Sequence, residues 1–114
     1  RTDLLVRSGS ASLADYVGTG FDRGHLAPTA DFRFDATAMS ESFYMSNMSP
    51  QRPEFNREIE ELEALFRDYA ITKNGIYIIT GPVLRDSLLS IGTNQVAIPD
   101  LYYKIAMTDS LESI

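Results

Sequence analysis

One segment of the chain carries a helical repeat of apolar side chains, and it is the clearest regular element that the sequence predicts. Across residues 54–70 the apolar positions recur at steps of three and four: Phe55, Ile59, Leu62, Phe66 and Tyr69. This spacing places them along one face of an α-helix. Beside the stripe runs a polar row, Asn56, Glu60, Glu63 and Arg67. The sequence therefore predicts a long amphipathic helix whose polar row either borders a cleft or is simply solvated.

Shorter apolar runs on both sides of this helix predict strands. They cover residues 21–26, 42–48, 76–80, 96–98 and 102–107, and are rich in aromatic and β-branched side chains. Pro50 is expected to stop the second run, and Gly81-Pro82 the third, which we expect to be a central strand. The last two runs are expected to be joined at Pro99-Asp100.

The remaining segments predict loops and one short helix. Residues 1–20 are rich in Ser, Gly and Ala, and their glycines break any regular element, so we expect a surface loop. Asp35 is placed to cap a short helix that begins at Ala36. Asn74-Gly75 is a turn signal. One α+β domain covering residues 1–114 follows from this order of elements.

The composition limits which metal ions and which partners the chain is expected to bind. The chain has 114 residues, no cysteine and one histidine, so a metal ion must be held by oxygen atoms or by that imidazole, which favours Mg²⁺, Ca²⁺ or Mn²⁺. The net charge of −6 argues against a protein that wraps DNA through a large basic surface. Residues 1–57 nevertheless carry 6 basic and 7 acidic side chains, against 4 and 9 in residues 58–114. An anionic partner is therefore expected at the first half, where Arg23 and Arg57 are substrate-binding candidates.

Apolar runs in the sequence are all shorter than the roughly 18 to 20 residues that span a bilayer. We therefore expect no membrane partner.

His25, the single histidine, lies in the polar segment Asp22-Arg23-Gly24-His25. A lone histidine is more often structural than catalytic, but an imidazole titrates near neutrality and can take a proton from water. In an extended segment Arg23 lies on the same face and can hold a phosphate oxygen, while Gly24 leaves room for a backbone or a ligand. The segment predicts either a structural histidine or one side of a phosphate site.

Two asparagines could serve such a site. Asn56 lies in the first turn of the predicted helix, on the same face as Glu60 and Glu63, although an asparagine there is often only a helix cap. Asn47 is expected to fix a turn through side-chain hydrogen bonds to the backbone, a structural role on which a site can depend. The three methionines 39, 45 and 48 are interpreted as core filling.

Four motifs occur in order: DRGHLAPTAD at 22–31, FYMSNMSPQ at 43–51, FN at 55–56 and YIITGP at 77–82. Together they resemble the DNA/RNA nonspecific endonuclease family, over about residues 8–107. The resemblance implies an α+β fold of the ββα-metal, or His-Me finger, type, with an antiparallel sheet packed against one long helix. Because the family continues with more sheet, it also implies a single nuclease-like domain that is apparently truncated, the core fragment of a longer member.

The resemblance implies roles for the motif residues. His25 corresponds to the general base that activates water, and Arg23 to the arginine that holds the phosphate. Asn56 corresponds to the direct protein ligand of a largely hydrated Mg²⁺, with Mn²⁺ or another divalent cation as alternatives. Glu63 is the nearest match to a glutamate that orients metal-bound water. Because Glu63 lies seven residues after Asn56, where the family usually has eight, Glu60 is the other candidate.

Asn47 and Asp22 are the implied supporting residues of this site. The implied activity is a Mg²⁺-dependent, sugar-nonspecific endonuclease that hydrolyses DNA and RNA. A homodimer and an inhibitor protein are further candidate partners, and a bacterial member would be secreted or periplasmic. The alternative is a catalytically impaired relative that keeps the fold and only binds nucleic acid or a partner protein. A purely structural domain with a solvated polar row is the third interpretation.

Overall fold

The computed structural model describes residues 1–108. Its helices and strands, in chain order, are α1 Leu13–Tyr16, β1 Asp22–His25, α2 Ala36–Glu41, β2 Met48–Gln51, α3 Pro53–Thr72, β3 Tyr77–Pro82, β4 Ser90–Ile91, β5 Val96–Ala97 and β6 Tyr102–Met107. Two short 3₁₀ turns, Thr29–Phe32 and Met45–Asn47, precede α2 and β2. The mixture of helices and strands confirms the predicted α+β class.

Strands pair in antiparallel fashion, β1 with β2, β3 with β6 and β4 with β5. In the β1–β2 pair, Asp22 lies opposite Gln51 and His25 opposite Met48. One residue after β2 the long helix begins, so β1, β2 and α3 form a ββα unit. This unit carries the candidate site.

The long helix α3 is confirmed, with bounds close to those predicted. Pro53 occupies its first turn, where a missing N–H costs nothing, and Glu54 faces the positive end of the helix dipole. The helix ends where Asn74 and Gly75 adopt positive φ angles of 58° and 112°. Its stripe packs against β6, with the rings of Phe55 and Tyr102 stacked at 5.4 Å. Among residues 1–108, no helix is long and apolar enough to cross a bilayer.

The expectation that residues 1–20 form a surface loop is wrong. They contain α1, and Tyr16 joins a core cluster with Met45, Met48 and Ile91. The backbone N–H of Ser12 donates to the Asp15 carboxylate at 2.8 Å, as in a capping box. A Ser followed three residues later by an Asp was therefore the sequence feature that could have indicated the start of this helix. The core-filling prediction is confirmed for two of the three methionines, because Met39 is only half-buried and lies outside this cluster.

The predicted strand over residues 42–48 is also wrong. Ser42 is the C-cap of α2, residues 45–47 form a 3₁₀ turn, and β2 begins at Met48 and continues through Pro50. A proline was expected to stop a strand because it lacks an N–H. Here Pro50 lies opposite Arg23, in a strand that has one neighbour among residues 1–108, and an edge strand tolerates the missing donor.

The strand predicted over residues 76–80 exists as β3 but is not central within residues 1–108. Its single partner is β6, and the side chains of Tyr77 and Ile79 are exposed. Gly81 and Pro82 belong to the strand rather than ending it. The strands predicted over 96–98 and 102–107 are present but lie in different sheets, since β5 pairs with β4, which the sequence did not predict.

Candidate active site

The strand β1 presents Arg23 and His25 to the same groove, as the alternation of side chains predicts. This groove, the α1 groove, has a volume of about 570 Å³. Its lining residues are Leu13, Tyr16, Val17, Phe21, Asp22, Arg23, His25, Phe43, Met48 and Asn56. Arg23 is exposed and His25 half-buried, so the guanidinium can meet a ligand at the mouth while the imidazole lies deeper.

His25 is held by contacts that limit its freedom. Its ring meets the ring of Phe43 edge-on, with 5.0 Å between centroids, and its Nε2 is buried without a hydrogen-bond partner. Burial first, and the nearby Arg23 cation second, hold the pKa of His25 below its usual value, although Glu60 opposes them. The neutral imidazole is therefore the dominant form at pH 7, which is the form that accepts a proton.

Asn56 reaches β1 from the first turns of α3. Its Nδ2 donates to Asp22 Oδ2 at 3.1 Å, which turns the carboxamide oxygen away from that carboxylate. Its backbone N–H already bonds to the carbonyl of Arg52 at 2.9 Å, so Asn56 lies inside the helix and is not its cap. The contact fixes the orientation of Asn56 relative to the strand that carries His25.

The polar row of α3 lines a second cavity, the α3 cavity, of about 270 Å³. Its lining residues are His25, Pro28, Thr29, Ala30, Asn56, Glu60, Glu63 and Arg67. The shared face predicted for the row thus borders a cleft rather than open solvent. His25 and Asn56 line both cavities, so the α1 groove and the α3 cavity meet at these two residues.

Glu63 is the buried residue of α3, with 7% of its surface exposed. Burial raises its pKa to about 7, and the nearby Lys104 cation counteracts part of that increase. Lys104 is itself half-buried, which lowers its pKa, and its Nζ donates to Thr80 Oγ1 at 3.0 Å. Glu60, by contrast, is exposed within the α3 cavity. The two candidate glutamates therefore differ sharply in solvation.

Asn47 makes the turn-fixing hydrogen bonds expected of it. Its side chain accepts from the N–H of Ala27 at 2.9 Å and donates to the carbonyls of Ala27 and Ser42 at 2.9 and 2.8 Å. These bonds join the segment that follows His25 to the segment that precedes β2. Gly24 also has a packing role, because a Cβ there would collide with the side chain of Gln51 rather than with a ligand.

The structure adds residues to the site to which the sequence analysis assigned no role. Arg67 and Asp31 form a salt bridge of 3.1 Å at the α3 cavity, and Phe43 and Lys104 pack beside His25 and Glu63. The sequence offered one indication for each of the paired residues: Asp31 is the last residue of the first motif, and Arg67 is the last residue of the polar row. Arg57, predicted to bind substrate, is exposed and lines neither the α1 groove nor the α3 cavity.

A divalent cation fits the donor chemistry of this junction. Within residues 1–108, no three His, Asp or Glu side chains are placed to share one ion. The donors at the junction are instead the Asn56 carboxamide oxygen and the carboxylates of Glu60 and Glu63, spread along one helix face. Hard oxygen donors that are few and separated suit an ion that keeps most of its water, as Mg²⁺ does.

Known proteins are similar in sequence to this chain over most of its length. The mitochondrial endonuclease G of Bos taurus is 36% identical over 111 residues, covering 88% of this chain and 37% of the relative. Nuclease C1 of Cunninghamella echinulata is 38% identical over 108 residues, covering 85% and 43%. The mitochondrial nuclease of Saccharomyces cerevisiae is 45% identical over 83 residues, covering 71% and 25%. The chain thus spans less than half the length of these relatives. Two of them are mitochondrial by name, unlike the secreted or periplasmic location expected for a bacterial member.

The fold is shared as well. A crystal structure described as the EndoG/EndoGI complex, with a mechanism of EndoG inhibition, matches with a TM-score of 0.86 and 31% identity. The match covers 98% of this chain and 52% of that chain. The family described as DNA/RNA non-specific endonuclease matches residues 3–113. The chain belongs to the DNA/RNA non-specific endonuclease family.

Proposed function

We propose that this chain hydrolyses phosphodiester bonds of DNA and RNA with the help of a divalent cation, Mg²⁺ in the first place. The observation that carries the proposal is the junction of the two cavities at His25 and Asn56. One side of that junction offers the Arg23 guanidinium, and the other offers Glu60 and Glu63. A base, a cation ligand and an anion-binding group thus surround one space, as phosphodiester hydrolysis requires.

Asn56 would hold the cation through its carboxamide oxygen, with Mn²⁺ or another divalent ion able to replace Mg²⁺. When bound, the ion would neutralise charge on the scissile phosphate and on the leaving oxygen. Asp22 supports this role because it accepts from Nδ2 and so leaves the oxygen end of Asn56 directed away from the Asp22 carboxylate. An acidic partner on the nitrogen also prevents the carboxamide from turning its donor end toward a cation.

His25 acts as the general base. Its pKa lies below the usual value, so at neutral pH the imidazole is uncharged and one of its ring nitrogens can accept a proton. Since Nε2 is buried, Nδ1 is the nitrogen that takes the proton from the attacking water. Arg23, on the same face of β1, clamps the phosphate in front of it.

Glu63 orients water in the α3 cavity, and Glu60 contributes a second, solvated carboxylate. Glu63 performs this role when ionised, and Lys104 and Arg67 favour that form. A cation at Asn56 would favour it further, because an opposite charge nearby lowers the pKa of a carboxyl group. Asn47 supports the site at a distance by fixing the turn after His25.

The direct test is cleavage of supercoiled plasmid and of a long RNA in Mg²⁺, with and without chelator. We expect cleavage of both substrates that chelator abolishes, and a loss of at least about a hundredfold in His25→Ala, since a general base contributes on that order. Arg57→Ala is the matched control, because Arg57 lies outside both cavities. Intact plasmid in both Mg²⁺ and Mn²⁺, or full activity in His25→Ala, would contradict the proposal.

One observation favours a second candidate, a catalytically impaired module that only binds nucleic acid. Glu63 is buried and its pKa is raised to about 7, so near neutral pH a large fraction carries a proton and cannot orient water. This candidate predicts salt-dependent binding without turnover. Cleavage that disappears in Asn56→Ala would eliminate it.

An inhibitor protein is a proposed partner. The support is the similar fold of the protein in the EndoG/EndoGI complex, whose description names inhibition. Homodimer formation stays a prediction from the family resemblance alone.

A further inference from the structure

The α1 groove has an apolar part besides the polar residues near Arg23 and His25. Its apolar lining consists of Leu13, Tyr16, Val17, Phe21, Phe43 and Met48. Its volume of about 570 Å³ lies in the range of about 300 to 1,000 Å³ that is typical of sites for small organic ligands. The proposed hydrolysis uses only the polar end of this groove. Tyr16 and Met48 belong to the core cluster, whereas the exposed Leu13 and Val17 have no role in core or catalysis.

We propose that the α1 groove binds the nucleoside attached to the scissile phosphate and buries its base and sugar against α1 and Phe43. This proposal rests on the proposed function, since it takes the phosphate to lie at Arg23 and His25. A nucleoside is covalently joined to that phosphate and lies within reach of the two cavities that meet there. The α1 groove is the apolar one of the two.

The two cavities differ in how many carboxylates and how many apolar side chains line them. The α3 cavity is lined by the carboxylates of Glu60 and Glu63, which suit a cation and its water, and by Arg67, which forms an ion pair with Asp31. The α1 groove contains the cationic Arg23 at its junction, next to Asp22, whose Oδ2 accepts from Asn56 Nδ2, and it has aromatic and aliphatic side chains elsewhere in its lining. An anionic phosphate followed by a flat, apolar base matches this order, because bases gain affinity from stacking and from buried area.

The wall formed by α1 is fixed before any ligand binds. Asp15 is almost completely buried and accepts hydrogen bonds from Asn94, from the backbone N–H at 3.0 Å and from Nδ2 at 2.8 Å. It also accepts from the N–H of Ser12 at 2.8 Å. These bonds tie α1 to the turn between β4 and β5. A preformed wall costs little ordering entropy on binding.

The groove is suited to any base rather than to one. Its walls offer aromatic and aliphatic surface, and the Tyr16 hydroxyl, the polar atom of its α1 wall, is buried rather than presented to a ligand. Discrimination between bases needs hydrogen bonds to their edges, whereas every base has a face that can stack. The subsite therefore adds affinity without adding sequence preference.

The test compares two single-stranded oligodeoxynucleotides with the same backbone, one of mixed sequence and one abasic throughout. Dissociation constants are measured in chelator at low salt, so that no hydrolysis occurs. We expect the parent protein to bind the base-bearing strand about tenfold more tightly. The double variant Leu13→Ala with Val17→Ala should reduce that ratio to about two. Both side chains are exposed, by 49% and 78%, and the single variant Val17→Ala gives an intermediate ratio should the double variant fold poorly.

Ile71→Ala is the matched control, because Ile71 is an aliphatic residue of 80% exposure near the end of α3, outside the groove. It should keep the tenfold ratio. Equal binding of the two strands by the parent protein, or a tenfold ratio that survives in the double variant, would overturn the subsite. Because the measurement needs no turnover, a base preference in a protein that cuts nothing in Mg²⁺ supports the subsite and rejects the proposed function. Cleavage without a base preference does the reverse.

Discussion

At the scale of single residues, Glu63 stands in an environment that opposes its charge. It is buried between α3 and β6, in a cavity of about 210 Å³ that it shares with His25 and Lys104. The resulting pKa of about 7 lies above the value of 4.5 that an exposed glutamate has. Folding therefore favours the protonated carboxyl, and the metal-free protein is destabilised when that proton leaves.

This environment predicts how stability depends on pH. The folded state holds the Glu63 proton up to about pH 7, while the unfolded state releases it near 4.5, so the stabilisation is complete below that lower value and is lost as pH rises through the higher one. Relative to Glu63→Gln, the metal-free parent should lose on the order of 2 kcal/mol of unfolding free energy between pH 5 and pH 8. Urea unfolding at several pH values measures this. The exposed Glu61→Gln is the control, and a flat difference for Glu63→Gln would show that burial does not govern this carboxyl.

Tyr16 and Tyr102 allow a comparison between a hydroxyl that has no hydrogen-bond partner and a hydroxyl that has two. The Tyr16 hydroxyl is buried without a hydrogen-bond partner, and burial raises its pKa to about 12, so it stays neutral. The Tyr102 hydroxyl donates to the carbonyl of Pro50 at 2.8 Å and contacts Ser49 Oγ at 2.6 Å.

Removing these two hydroxyls should therefore have different effects. Tyr16→Phe should leave the melting temperature unchanged or raise it, because it removes an unsatisfied polar atom. Tyr102→Phe should destabilise the fold by about 1 to 2 kcal/mol, because two hydrogen bonds to β2 are lost while the ring stack on Phe55 remains. Equal losses in the two variants would contradict this difference.

The sequence located some site residues better than others, for physical reasons. Alternation along an extended strand was enough to place Arg23 and His25 on one face, and helical periodicity was enough to align Asn56 with the glutamates. The bond between Asn56 and Asp22 depends on how α3 crosses β1, which no local pattern encodes. The nearness of Lys104 to Glu63 likewise depends on long-range packing.

At the scale of elements, the tie between α1 and the β4–β5 turn is the feature with the sharpest mutational consequence. Gly92 has a φ of +74°, and a Cβ there would collide with Asp15. Gly18 has nearly the same φ, +73°, but faces open space. The two glycines thus share one backbone requirement and differ in packing.

This difference predicts unequal effects of alanine. Gly18→Ala should cost about 1 kcal/mol, the penalty of the left-handed conformation. Gly92→Ala should cost roughly 3 kcal/mol, because overpacking against a buried carboxylate adds to that penalty. Chemical denaturation of both variants measures the two values. Equal costs would mean that Asp15 moves aside freely and that the α1 wall is not fixed.

Element prediction succeeded where one local signal dominated. The helix α3 has a long periodic stripe, and α2 has a capping aspartate whose Oδ1 accepts from the N–H of Thr37 at 3.0 Å. Prediction failed at β2. Its position was inferred from the aromatic composition of residues 42–48 and from the proline after them, whereas the residues that form the strand are determined by pairing with β1. The short strand β4 carries almost no pattern over its two residues and exists through its pairing with β5.

At the scale of the whole molecule, two grooves of different chemistry converge on the pair formed by His25 and Asn56. Strand β1, helix α3 and helix α1 contribute one wall each, so the site depends on the packing of all three. The ββα unit could be expected from the family resemblance, whereas the α1 wall could not, because residues 1–20 carry no obvious regular pattern. The exposed apolar residues of β3 and β6, among them Tyr77 and Ile105, lie away from this junction.

The tie of Asp15 to Asn94 joins positions that are 79 residues apart. A ribosome synthesises His25 and Asn56 well before it reaches Asn94, so a nascent chain holds every proposed reacting group while the α1 wall still lacks its anchor. Stalling translation before and after that codon therefore separates two species that differ in the anchor and share the same chemistry. Assembly of the nucleoside-binding wall therefore has to wait for Asn94, which is synthesised after all of the proposed reacting groups.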